Sequence, residues 1–564
     1  MSRGVALCLV VTLVCGTAAW RLASGQDDDD PFTPPAEQEA SPDEEPVPEE
    51  PATEEPATEE PATEEPGEPV PGEPDDPDAP AAEDAGPTPS EPPAPDDPAE
   101  PGTTPGEPEA EPTPDEETDS AMPEESDAGE EAAADDEEEA AAPAAGRRDE
   151  SIDFLPPIVI PNPADHADDW FGRSVAAVGD KVLVGGPSYR VANKGNAGAV
   201  FVFDRQGTLL HTIANPSPGD EDRFGRSLAG LGNNFLVGAY KDDDDSGELN
   251  AGAAYLFGGR TSRLVRAFTV PEAARYDYLG YSLAGVGRDA ALVGAAGRRV
   301  QDAEGASIEG AGAAYLFDAA SGELLTAFEN PQPRAGDWFG RHVADAGQRQ
   351  VLIAAPYADR EFSDPDGGGQ LLADVGEVYL YDAATGELLV TFGHPFPAAK
   401  DLFGEAVVAC GEFVLIGAPY ADSENRRDGG AVFVFTRHGE FRGALHATGA
   451  GAADNARFGF ALAALGELVV VGTGQEYGAE VFLYDPAEPR QPVYEFHAEL
   501  GDADSSFGTA VATAGASVVI GAPRADVVDS LGNTIPDSGR VFLFHPRPTG
   551  AARRTPGASL PVDR

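Results

Sequence analysis

Residues 337–392 decide the fold, because they contain one complete copy of a unit that recurs along the chain. The copy reads Asp337-Trp-Phe-Gly-Arg-His-Val-Ala, then Val351-Leu-Ile-Ala-Ala-Pro after a Gly turn, then Gly376-Glu-Val-Tyr-Leu-Tyr after a long polar loop, and finally Leu388-Leu-Val-Thr-Phe after a short turn. Each apolar run is short, rich in β-branched and aromatic residues, and bounded by Gly, Pro or Asp, which is the pattern of β-strands. Four such strands predict one four-stranded antiparallel blade of a β-propeller.

The same unit occurs seven times, and a repeat of this kind has to be found before a fold is assigned. Its opening pair is Phe-Gly or, once, Leu-Gly, at Phe171-Gly172, Phe224-Gly225, Leu279-Gly280, Phe339-Gly340, Phe403-Gly404, Phe458-Gly459 and Phe507-Gly508. Its second strand ends in Gly-Ala-Pro or a related triplet, at Gly185, Gly238, Gly294, Ala354, Gly417, Gly472 and Gly521. The seven copies predict an all-β, seven-bladed β-propeller with four-stranded antiparallel blades.

The turns distinguish the strands from one another. A Gly followed by one residue lies between the first and second strands of every copy, at Gly179, Gly232, Gly287, Gly347, Gly411, Gly466 and Gly515. Gly at the first central position is typical of a type II′ hairpin turn, because that position has a positive φ. We therefore expect seven tight hairpins there. The connections between second and third strands are longer and more variable, with the longest from Tyr357 to Val375.

The two ends of the repeat region predict how the ring closes. The seventh copy ends at Phe544 without a fourth strand, and an apolar run at 152–160 precedes the first copy. Ile160 precedes Phe171 by eleven residues, which is the spacing between fourth strands and Phe-Gly pairs elsewhere in the chain. We expect 152–160 to complete the seventh blade. Its two prolines suit an outer edge strand, where a missing backbone N–H is tolerated.

With these motifs the chain resembles the FG-GAP repeat family, the seven-bladed propellers of integrin α chains and of many exported bacterial proteins. The resemblance covers about 152–548. It implies a propeller domain over 151–548 and a role in adhesion or recognition. Calcium-binding blades of that family carry an Asp-x-Asp/Asn-x-Asp-Gly-x-x-Asp loop between the first and second strands. The short Gly turns leave no room for this loop, so the calcium sites of integrins are not carried over to any blade.

Residues 1–150 have a different composition from the repeats. Residues 1–25 contain Arg3, an apolar run and small residues before Gln26, which predicts a secretory signal peptide. Residues 27–150 contain 47 Asp and Glu but only two Arg. A segment this charged and this poor in aromatic residues cannot bury enough apolar surface to fold, so 26–150 is predicted to be a disordered, acidic, Pro-rich spacer. A segment that only adds solubility is an equally good interpretation. Residues 549–564 are predicted to be a disordered tail.

The charge balance limits the classes of partner. Residues 151–550 carry 53 acidic and 29 basic residues, and the whole chain has a net charge of −65. A surface this acidic argues against nucleic acid and anionic lipid as partners. After residue 25, no stretch approaches the roughly 20 apolar residues that a membrane span needs. The protein is therefore expected to be exported, and to be secreted, periplasmic or held at the cell surface. The sequence does not indicate an oligomeric state.

No arrangement of residues points to catalysis. Eight His residues are scattered without metal-ligand spacing, and no nucleophile elbow, phosphate loop or zinc signature is present. Cys410 is the only cysteine after the signal peptide and aligns with apolar positions of other repeats, so a buried, unreactive thiol is expected. We predict that the protein is not an enzyme.

One face of the propeller is the predicted ligand-binding face. Propeller topology places the connections between second and third strands on the same face as the connections between blades. Variable loops on a rigid scaffold are where binding sites usually lie. The candidate residues on this face are Trp170, Tyr278, Trp338, Asp243, Asp245, Asp364 and Asp366. The alternatives are that the aromatic residues pack between blades and that the acidic residues are simply solvated.

Two further groups of Asp residues have simpler interpretations. Five copies have Asp two positions before the repeated Phe or Leu, where a side chain that accepts backbone N–H groups shapes a turn. The acidic loops around Asp243 and Asp364 resemble calcium loops in part, but they lack the spacing that about six to eight oxygen ligands require. No cofactor is expected, and weak calcium binding remains an alternative.

The sequence thus predicts a non-catalytic binding or adhesion propeller with a protein or glycan ligand, for which a cationic partner is one candidate. The alternatives are a propeller module of a polysaccharide-degrading enzyme and a purely structural module of the cell envelope.

Overall fold

Seven four-stranded antiparallel sheets follow one another along the chain, as the repeats predict. They are seen in a computed structural model that describes residues 152–548 apart from 165, 244–248, 271, 303–304, 364–368, 424–425, 450–451, 475–479, 498–504 and 529–530. The predicted signal peptide, acidic spacer and C-terminal tail lie outside these residues. The described residues contain no α-helix, and therefore no helix that could span a membrane.

Each blade contributes one strand to each of four concentric positions. The inner strands are β2 (Ser174–Val178), β6 (Ser227–Leu231), β10 (Leu279–Val286), β16 (His342–Gly347), β22 (Ala406–Cys410), β26 (Phe458–Leu465) and β30 (Ala510–Ala514). The second strands are β3 (Lys181–Gly186), β7 (Asn234–Ala239), β11 (Ala290–Ala295), β17 (Gln350–Ala355), β23 (Phe413–Ala418), β27 (Leu468–Thr473) and β31 (Ser517–Ala522). The third strands are β4 (Ala199–Asp204), β8 (Ala253–Gly258), β14 (Ala313–Asp318), β20 (Glu377–Asp382), β24 (Ala431–Thr436), β28 (Val481–Tyr484) and β34 (Arg540–Phe544). The outer strands are β5 (Leu209–Ala214), β9 (Leu264–Phe268), β15 (Leu324–Glu329), β21 (Leu388–Gly393), β25 (Phe441–Leu445), β29 (Tyr494–Phe496) and, in blade seven, β1 (Ile158–Pro161).

The seventh blade is completed by the beginning of the propeller. Its strand order is β1, β34, β31, β30, and β1 pairs with β34 from Ile158↔Leu543 to Pro161↔Arg540. Regular pairing is shorter than the predicted 152–160, because the two prolines that precede Ile158 cannot donate backbone hydrogen bonds. An isolated bridge between Phe154 and Pro546 extends the contact. Both ends of the propeller therefore belong to one sheet.

The core consists of seven clusters, one between each pair of neighbouring blades. Alternate residues of a strand point to opposite faces of the sheet. In blade four, for example, Leu352 belongs to the cluster shared with blade five, whereas Ile353 belongs to the cluster shared with blade three. Because both faces of every blade are covered, the second and third strands are apolar nearly throughout.

The repeated Phe lies in these clusters. Phe339 is completely buried, and its ring centroid lies 5.6 Å from that of Tyr379 and 6.1 Å from that of Tyr381. The other six members of this position are at most 2% exposed: Phe171, Phe224, Leu279, Phe403, Phe458 and Phe507. The residue that opens each repeat thus fills the space between its blade and the preceding one.

Two Gly positions per repeat allow neighbouring blades to approach each other closely. Gly172 of the Phe-Gly pair has φ +93°, which favours glycine. At the end of the second strand, a Cβ on Gly185 would lie only 2.1 Å from the carbonyl oxygen of Gly225 in the next blade. Gly238, Gly294, Gly417, Gly472 and Gly521 are in equivalent positions, with distances of 2.0–2.1 Å. This close contact explains why six of the seven copies have Gly at the second-to-last position of the second strand.

The turns between inner and second strands follow the prediction in five blades. In blade one, Val178 pairs directly with Lys181, and Gly179 between them has φ +60°. The turns at Gly232, Gly411, Gly466 and Gly515 are the same.

Blades three and four differ, because each has one extra residue in this turn. In blade three, three residues separate the paired Val286 and Ala290. In blade four, Gly347 pairs with Gln350, and the turn is formed by Gln348 and Arg349, both with positive φ as in a type I′ turn. The prediction of a type II′ turn at these two positions was wrong.

Three of the long connections between second and third strands form two-stranded ribbons, which the sequence did not predict. They are β12 (Val300–Gln301) with β13 (Ser307–Ile308) in blade three, β18 (Arg360–Ser363) with β19 (Gly369–Leu372) in blade four, and β32 (Val527–Val528) with β33 (Thr534–Ile535) in blade seven. The blade-four ribbon has the longest strands of the three.

The single cysteine of the propeller is buried as expected. Cys410 is 1% exposed, and its Sγ donates a hydrogen bond to the Leu468 carbonyl at 3.2 Å. Burial raises the pKa of its thiol to about 11, so the reactive thiolate is disfavoured at neutral pH.

Candidate functional site

The aromatic candidates Trp170, Tyr278 and Trp338 occupy the same position in their repeats, directly before the Phe-Gly or Leu-Gly pair. All three have a left-handed backbone, with φ of 53°, 56° and 56°. A backbone hydrogen bond ties two of them to the preceding blade, from Tyr278 to the Asn250 carbonyl (3.3 Å) and from Trp338 to the Gly310 carbonyl (3.0 Å). This position therefore links one blade to the next.

Tyr278 and Trp338 belong to one group of side chains at the boundaries between blades two, three and four. We call this group the aromatic–arginine cluster, and it consists of Tyr240, Tyr278, Tyr281, Trp338, Arg341 and Tyr357. The Tyr240 ring lies 5.7 Å from Tyr278 and 5.1 Å from Tyr281, and the Trp338 ring lies 4.5 Å from Tyr357. Tyr278 is 7% and Trp338 is 8% exposed. Their rings are covered by neighbouring side chains and offer little free surface to a ligand.

Arg341 is the centre of this cluster. Its Cζ lies 5.1 Å from the Tyr281 ring centroid, 5.3 Å from Trp338 and 5.2 Å from Tyr357, which are cation–π distances. Its Nη1 donates to the Tyr281 hydroxyl at 2.8 Å. Three aromatic rings from two blades therefore enclose one guanidinium.

The same guanidinium forms a buried ion pair with blade five. Arg341 Nε lies 3.2 Å from Glu405 Oε2, and Nη2 lies 3.3 Å from Oε1. Burial alone would raise the pKa of Glu405, but Arg341 and His342 hold it well below its usual range. Glu405 is therefore ionised in the folded protein. The Arg341–Glu405 ion pair links blade four to blade five.

Trp170 lies apart from the aromatic–arginine cluster. It is half-buried at the start of blade one, and the guanidinium of Arg223 lies 5.7 Å from its ring centroid. Arg223 also donates to the Ser188 hydroxyl at 2.6 Å and to Glu221 at 2.9 Å. The structure thus brings Tyr278 and Trp338 into one cluster and leaves Trp170 at a separate contact between blades one and two.

Of the acidic candidates, Asp243 is described, and Asp245, Asp364 and Asp366 lie outside the described residues. Asp243 is exposed, and its Oδ1 accepts a hydrogen bond from the Asn250 N–H at 2.8 Å. Because Asn250 also accepts from Tyr278, Asp243 lies at the same blade boundary as that tyrosine. Among the residues that the structure describes, no group of three or more His, Cys, Asp or Glu could hold a metal ion.

The five Asp residues two positions before the repeated Phe or Leu shape the turns between blades, as predicted. All are at most 4% exposed: Asp169, Asp222, Asp277, Asp337 and Asp401. Asp337 accepts from the Arg334 N–H and from Asn330 Nδ2, both at 2.8 Å. Asn162 and Asn215 donate in the same way to Asp169 and Asp222, and each of these three Asn residues is followed by Pro in the sequence.

Burial changes the protonation of these carboxyl groups. It raises the pKa of Asp222 and of Asp337 to about 7 and that of Asp401 to about 6. Beside Asp401, His394 takes the place of the Asn, with its Nε2 3.4 Å from the carboxylate. Burial, together with Arg360, lowers the pKa of His394 to about 4, so this ring is neutral at pH 7. The raised pKa values of these Asp residues resemble those of catalytic carboxyl groups. Their side chains, however, are buried and accept hydrogen bonds from the turns between blades.

One Ser–His contact was missed by sequence reasoning. His545 Nδ1 lies 2.7 Å from the Ser517 hydroxyl, and His545 Nε2 lies 2.9 Å from the Arg205 carbonyl. Arg205 Nη2 in turn donates to the Ser517 hydroxyl at 2.7 Å. Ser517 is completely buried between blades seven and one. The contact closes a network between the first and last blades and gives a substrate no access to the hydroxyl.

The blade-four ribbon exposes two large apolar side chains on the predicted ligand-binding face. Phe362 is 45% and Leu371 is 54% exposed. Leu371 lies opposite Glu361 and Phe362 lies opposite Gln370, so the two apolar side chains point to opposite faces of the ribbon. The ribbon therefore projects from the propeller instead of covering its surface.

Sequence reasoning missed most of the aromatic–arginine cluster, although a signal was present. Tyr281, Arg341 and Glu405 are the residues directly after the Phe-Gly or Leu-Gly pair, and Tyr240 and Tyr357 follow the second strand. These positions recur in every repeat, within or directly beside the Phe-Gly pair and the Gly-Ala-Pro triplet, so the sequence alone aligns their side chains.

The comparisons with known proteins agree with this geometry. Residues 163–203, 216–257 and 397–435 match the FG-GAP repeat family, and they contain the first three strands of blades one, two and five. No match was found among curated proteins. Residues 152–548 therefore form a seven-bladed β-propeller in which three blades match the FG-GAP repeat family.

Proposed function

We propose that the propeller is the non-catalytic recognition module of an exported protein and binds a protein or glycan ligand with the face that carries the ribbons. The observation that supports this proposal is the blade-four ribbon, which exposes Phe362 and Leu371 on opposite faces. Apolar side chains exposed in this way add nothing to the core. Exposed apolar groups surrounded by polar residues are typical of interaction sites.

The charge around the ribbon favours a ligand with cationic groups. The Glu361 side chain is 80% exposed, and its ion pair with Arg334, at 3.4 Å, is a surface pair of the kind that contributes little to stability. Asp243 is exposed on the same face. Carboxylates at the edge of an interface steer a cationic partner and make the association rate sensitive to salt.

Two observations support a non-catalytic role. The buried carboxyl groups with raised pKa values accept hydrogen bonds within the turns that they shape. The Ser517 hydroxyl, which has a His partner, is completely buried. The expected export rests on the predicted signal peptide, and cell fractionation tests it: the chain should be in the medium, the periplasm or the surface fraction.

The test of the binding role is a screen of the full chain against arrays of glycans and matrix proteins, with and without calcium. The double variant Phe362→Ser/Leu371→Ser should lose at least tenfold in affinity for any ligand found, without a change in melting temperature. Leu209→Ser/Leu210→Ser is the matched control, because both residues are 41% exposed on the outer strand β5 and lie away from the ribbon. Equal affinity in the ribbon variant would contradict the proposal, and cleavage of an arrayed glycan would favour an enzyme instead.

A further inference from the structure

A cleft with cationic walls lies between blades five and six. It has a volume of about 310 Å³ and is lined by Arg426, His446, Thr448, Gly449 and Arg490, together with two Ala and Pro489. Among the described residues, none that line it is acidic. This is unusual for a domain with 53 acidic and 29 basic residues. We call it the arginine cleft.

The walls of the arginine cleft are held in place by three separate parts of the chain. Arg426 is fixed by reciprocal backbone hydrogen bonds with Ser423, at 2.8 and 3.0 Å. The Tyr484 hydroxyl donates to the His446 carbonyl at 2.5 Å, and Tyr484 is 1% exposed. Arg426 and His446 are therefore carried by segments that are anchored to the propeller core.

The third wall comes from the connection between β28 and β29 in blade six. Glu488 N–H donates to the Asp485 carbonyl at 3.1 Å, and Arg490 N–H donates to the Glu488 carbonyl at 2.8 Å. These bonds fold the connection into tight turns that end at Arg490, whose side chain is exposed. Opposite it, the Thr448 hydroxyl donates to Glu495 at 3.2 Å, so Glu495 fixes the hydroxyl that borders the cleft.

The composition of the arginine cleft indicates the chemistry of its ligand. A guanidinium binds carboxylate and sulfate oxygens through two parallel hydrogen bonds. Ala447, Ala452 and Pro489 provide an apolar surface for a carbon skeleton beside the two Arg residues. A volume of 310 Å³ is at the lower end of the range of roughly 300–1,000 Å³ for ligand pockets, so the ligand is small.

We infer that the arginine cleft binds a small organic oxyanion, of the size of one acidic sugar or one amino acid, through Arg426 and Arg490. This site is separate from the ribbon face and goes beyond the proposed function. Its ligand chemistry is opposite to that of the ribbon face, which favours cations. The same oxyanion could be free in solution or could be the terminal group of a polymer.

Calorimetric titration of the full chain with glucuronate, inorganic sulfate and glucose tests the inference. Glucuronate should bind saturably with a Kd below about 1 mM, more tightly than sulfate, and glucose should not bind. An oligosaccharide that ends in glucuronate separates the two sources: tighter binding than the monomer indicates a polymer terminus, and equal binding indicates a free acid. No saturable binding of glucuronate, or equal binding of glucuronate and glucose, would overturn the inference.

Variants locate the site. Arg490→Glu should weaken glucuronate binding at least tenfold, and because this side chain is exposed, the melting temperature should not change. Arg426→Gln/Arg490→Gln should abolish binding. Arg263→Gln, in an exposed turn of blade two, is the matched control and should bind like the unmodified chain. Equal affinity in Arg490→Glu and the control would place the ligand elsewhere and overturn the assignment.

Discussion

Seven residues with left-handed backbone precede the Phe-Gly and Leu-Gly pairs, and none of them is Gly. They are Trp170, Arg223, Tyr278, Trp338, Leu402, Arg457 and Ser506, with φ between 51° and 59°. This conformation costs about 1–2 kcal/mol for an L-residue. The cost is offset where the backbone bonds to the preceding blade, as Arg223 N–H does to the Asn196 carbonyl at 3.0 Å. The sequence predicted Gly positions with positive φ but gave no sign of these, because side chains of every class occupy them.

The repeated Phe provides the first prediction. Phe339→Ala should lower the free energy of unfolding by about 3–5 kcal/mol, because it empties a completely buried aromatic site. Chemical denaturation measures the change. Phe362→Ala is the control, since this side chain is 45% exposed on the blade-four ribbon and its removal should cost less than about 0.5 kcal/mol. Similar losses in both variants would place Phe339 outside the core.

The buried Asp residues predict how stability depends on pH. An unfolded Asp titrates near pH 3.9, whereas the pKa of Asp222 and of Asp337 in the fold is about 7. Between these values the folded chain holds protons that the unfolded chain releases. Their stabilising contribution is therefore complete below about pH 4 and is lost as the pH rises through 7. We expect the free energy of unfolding to fall between pH 5 and pH 8 by about 2–3 kcal/mol for each of the two groups.

Substitution identifies the groups responsible. Asp222→Asn/Asp337→Asn should flatten the pH dependence measured by denaturation at pH 5 and pH 8. Asp318→Asn is the control, because hydrogen bonds from Ser321 lower the pKa of Asp318 and it stays ionised over this range. A slope that is unchanged in the double variant would assign the effect to other groups.

At the scale of strands and turns, the repeats predicted most of the architecture. Strand positions followed from apolar runs, because every blade is buried on both faces. Two features of the architecture could not be predicted from the repeats: the ribbons and the turns of blades three and four. The ribbons form in polar connections, and in the blade-four ribbon Phe362 and Leu371 stay 45% and 54% exposed, so no periodic apolar pattern marks these strands. The turns of blades three and four depend on one inserted residue, which changes the backbone geometry without changing the Gly that precedes it.

The candidate site was less predictable than the strands. The sequence predicted that Tyr278 and Trp338 lie beside the connections between blades, but their burial depends on Tyr240 and Tyr357, which approach from other parts of the chain. The partner of Arg341 is Glu405, in the next blade. Contacts between repeats depend on the relative rotation of neighbouring blades, which the pattern within a single repeat does not contain.

The ion pair between blades four and five provides a prediction at this scale. Arg341→Met should lower the free energy of unfolding by about 3–5 kcal/mol, because it removes the guanidinium that pairs with the buried Glu405 carboxylate. Arg341→Met/Glu405→Leu should recover most of this loss, since an apolar pair removes the unpaired charge. Denaturation of the two variants and the unmodified chain checks both expectations. A double variant that is no more stable than Arg341→Met would mean that the rings around Arg341, and not its charge, determine the loss.

For the whole molecule, the predicted number of blades and the closure by the two ends of the repeat region agree with the structure. Deleting residues 152–161 from the full chain tests what closure contributes. The deletion removes β1 together with Phe154 and Ile160, which are 3% and 1% exposed, and leaves β34 as an open edge. We expect the melting temperature to fall by more than about 5 °C. Deleting residues 51–60, a stretch of equal length in the acidic segment, should leave it unchanged, and equal melting of the two variants would mean that β1 contributes little.

The pairing of β1 with β34 also fixes the order in which the molecule can be completed. Among the described residues, the strand that a ribosome makes first pairs with the strand that it makes last, so six blades can form as the chain emerges while the seventh waits for Arg540–Phe544. Contacts so distant in the chain are slow to form, because a long loop must close before they are gained. A chain that stops before Phe544 keeps an unpaired first strand and an open ring. Only a chain that has been made as far as Phe544 can therefore pair β1 with β34 and close the ring.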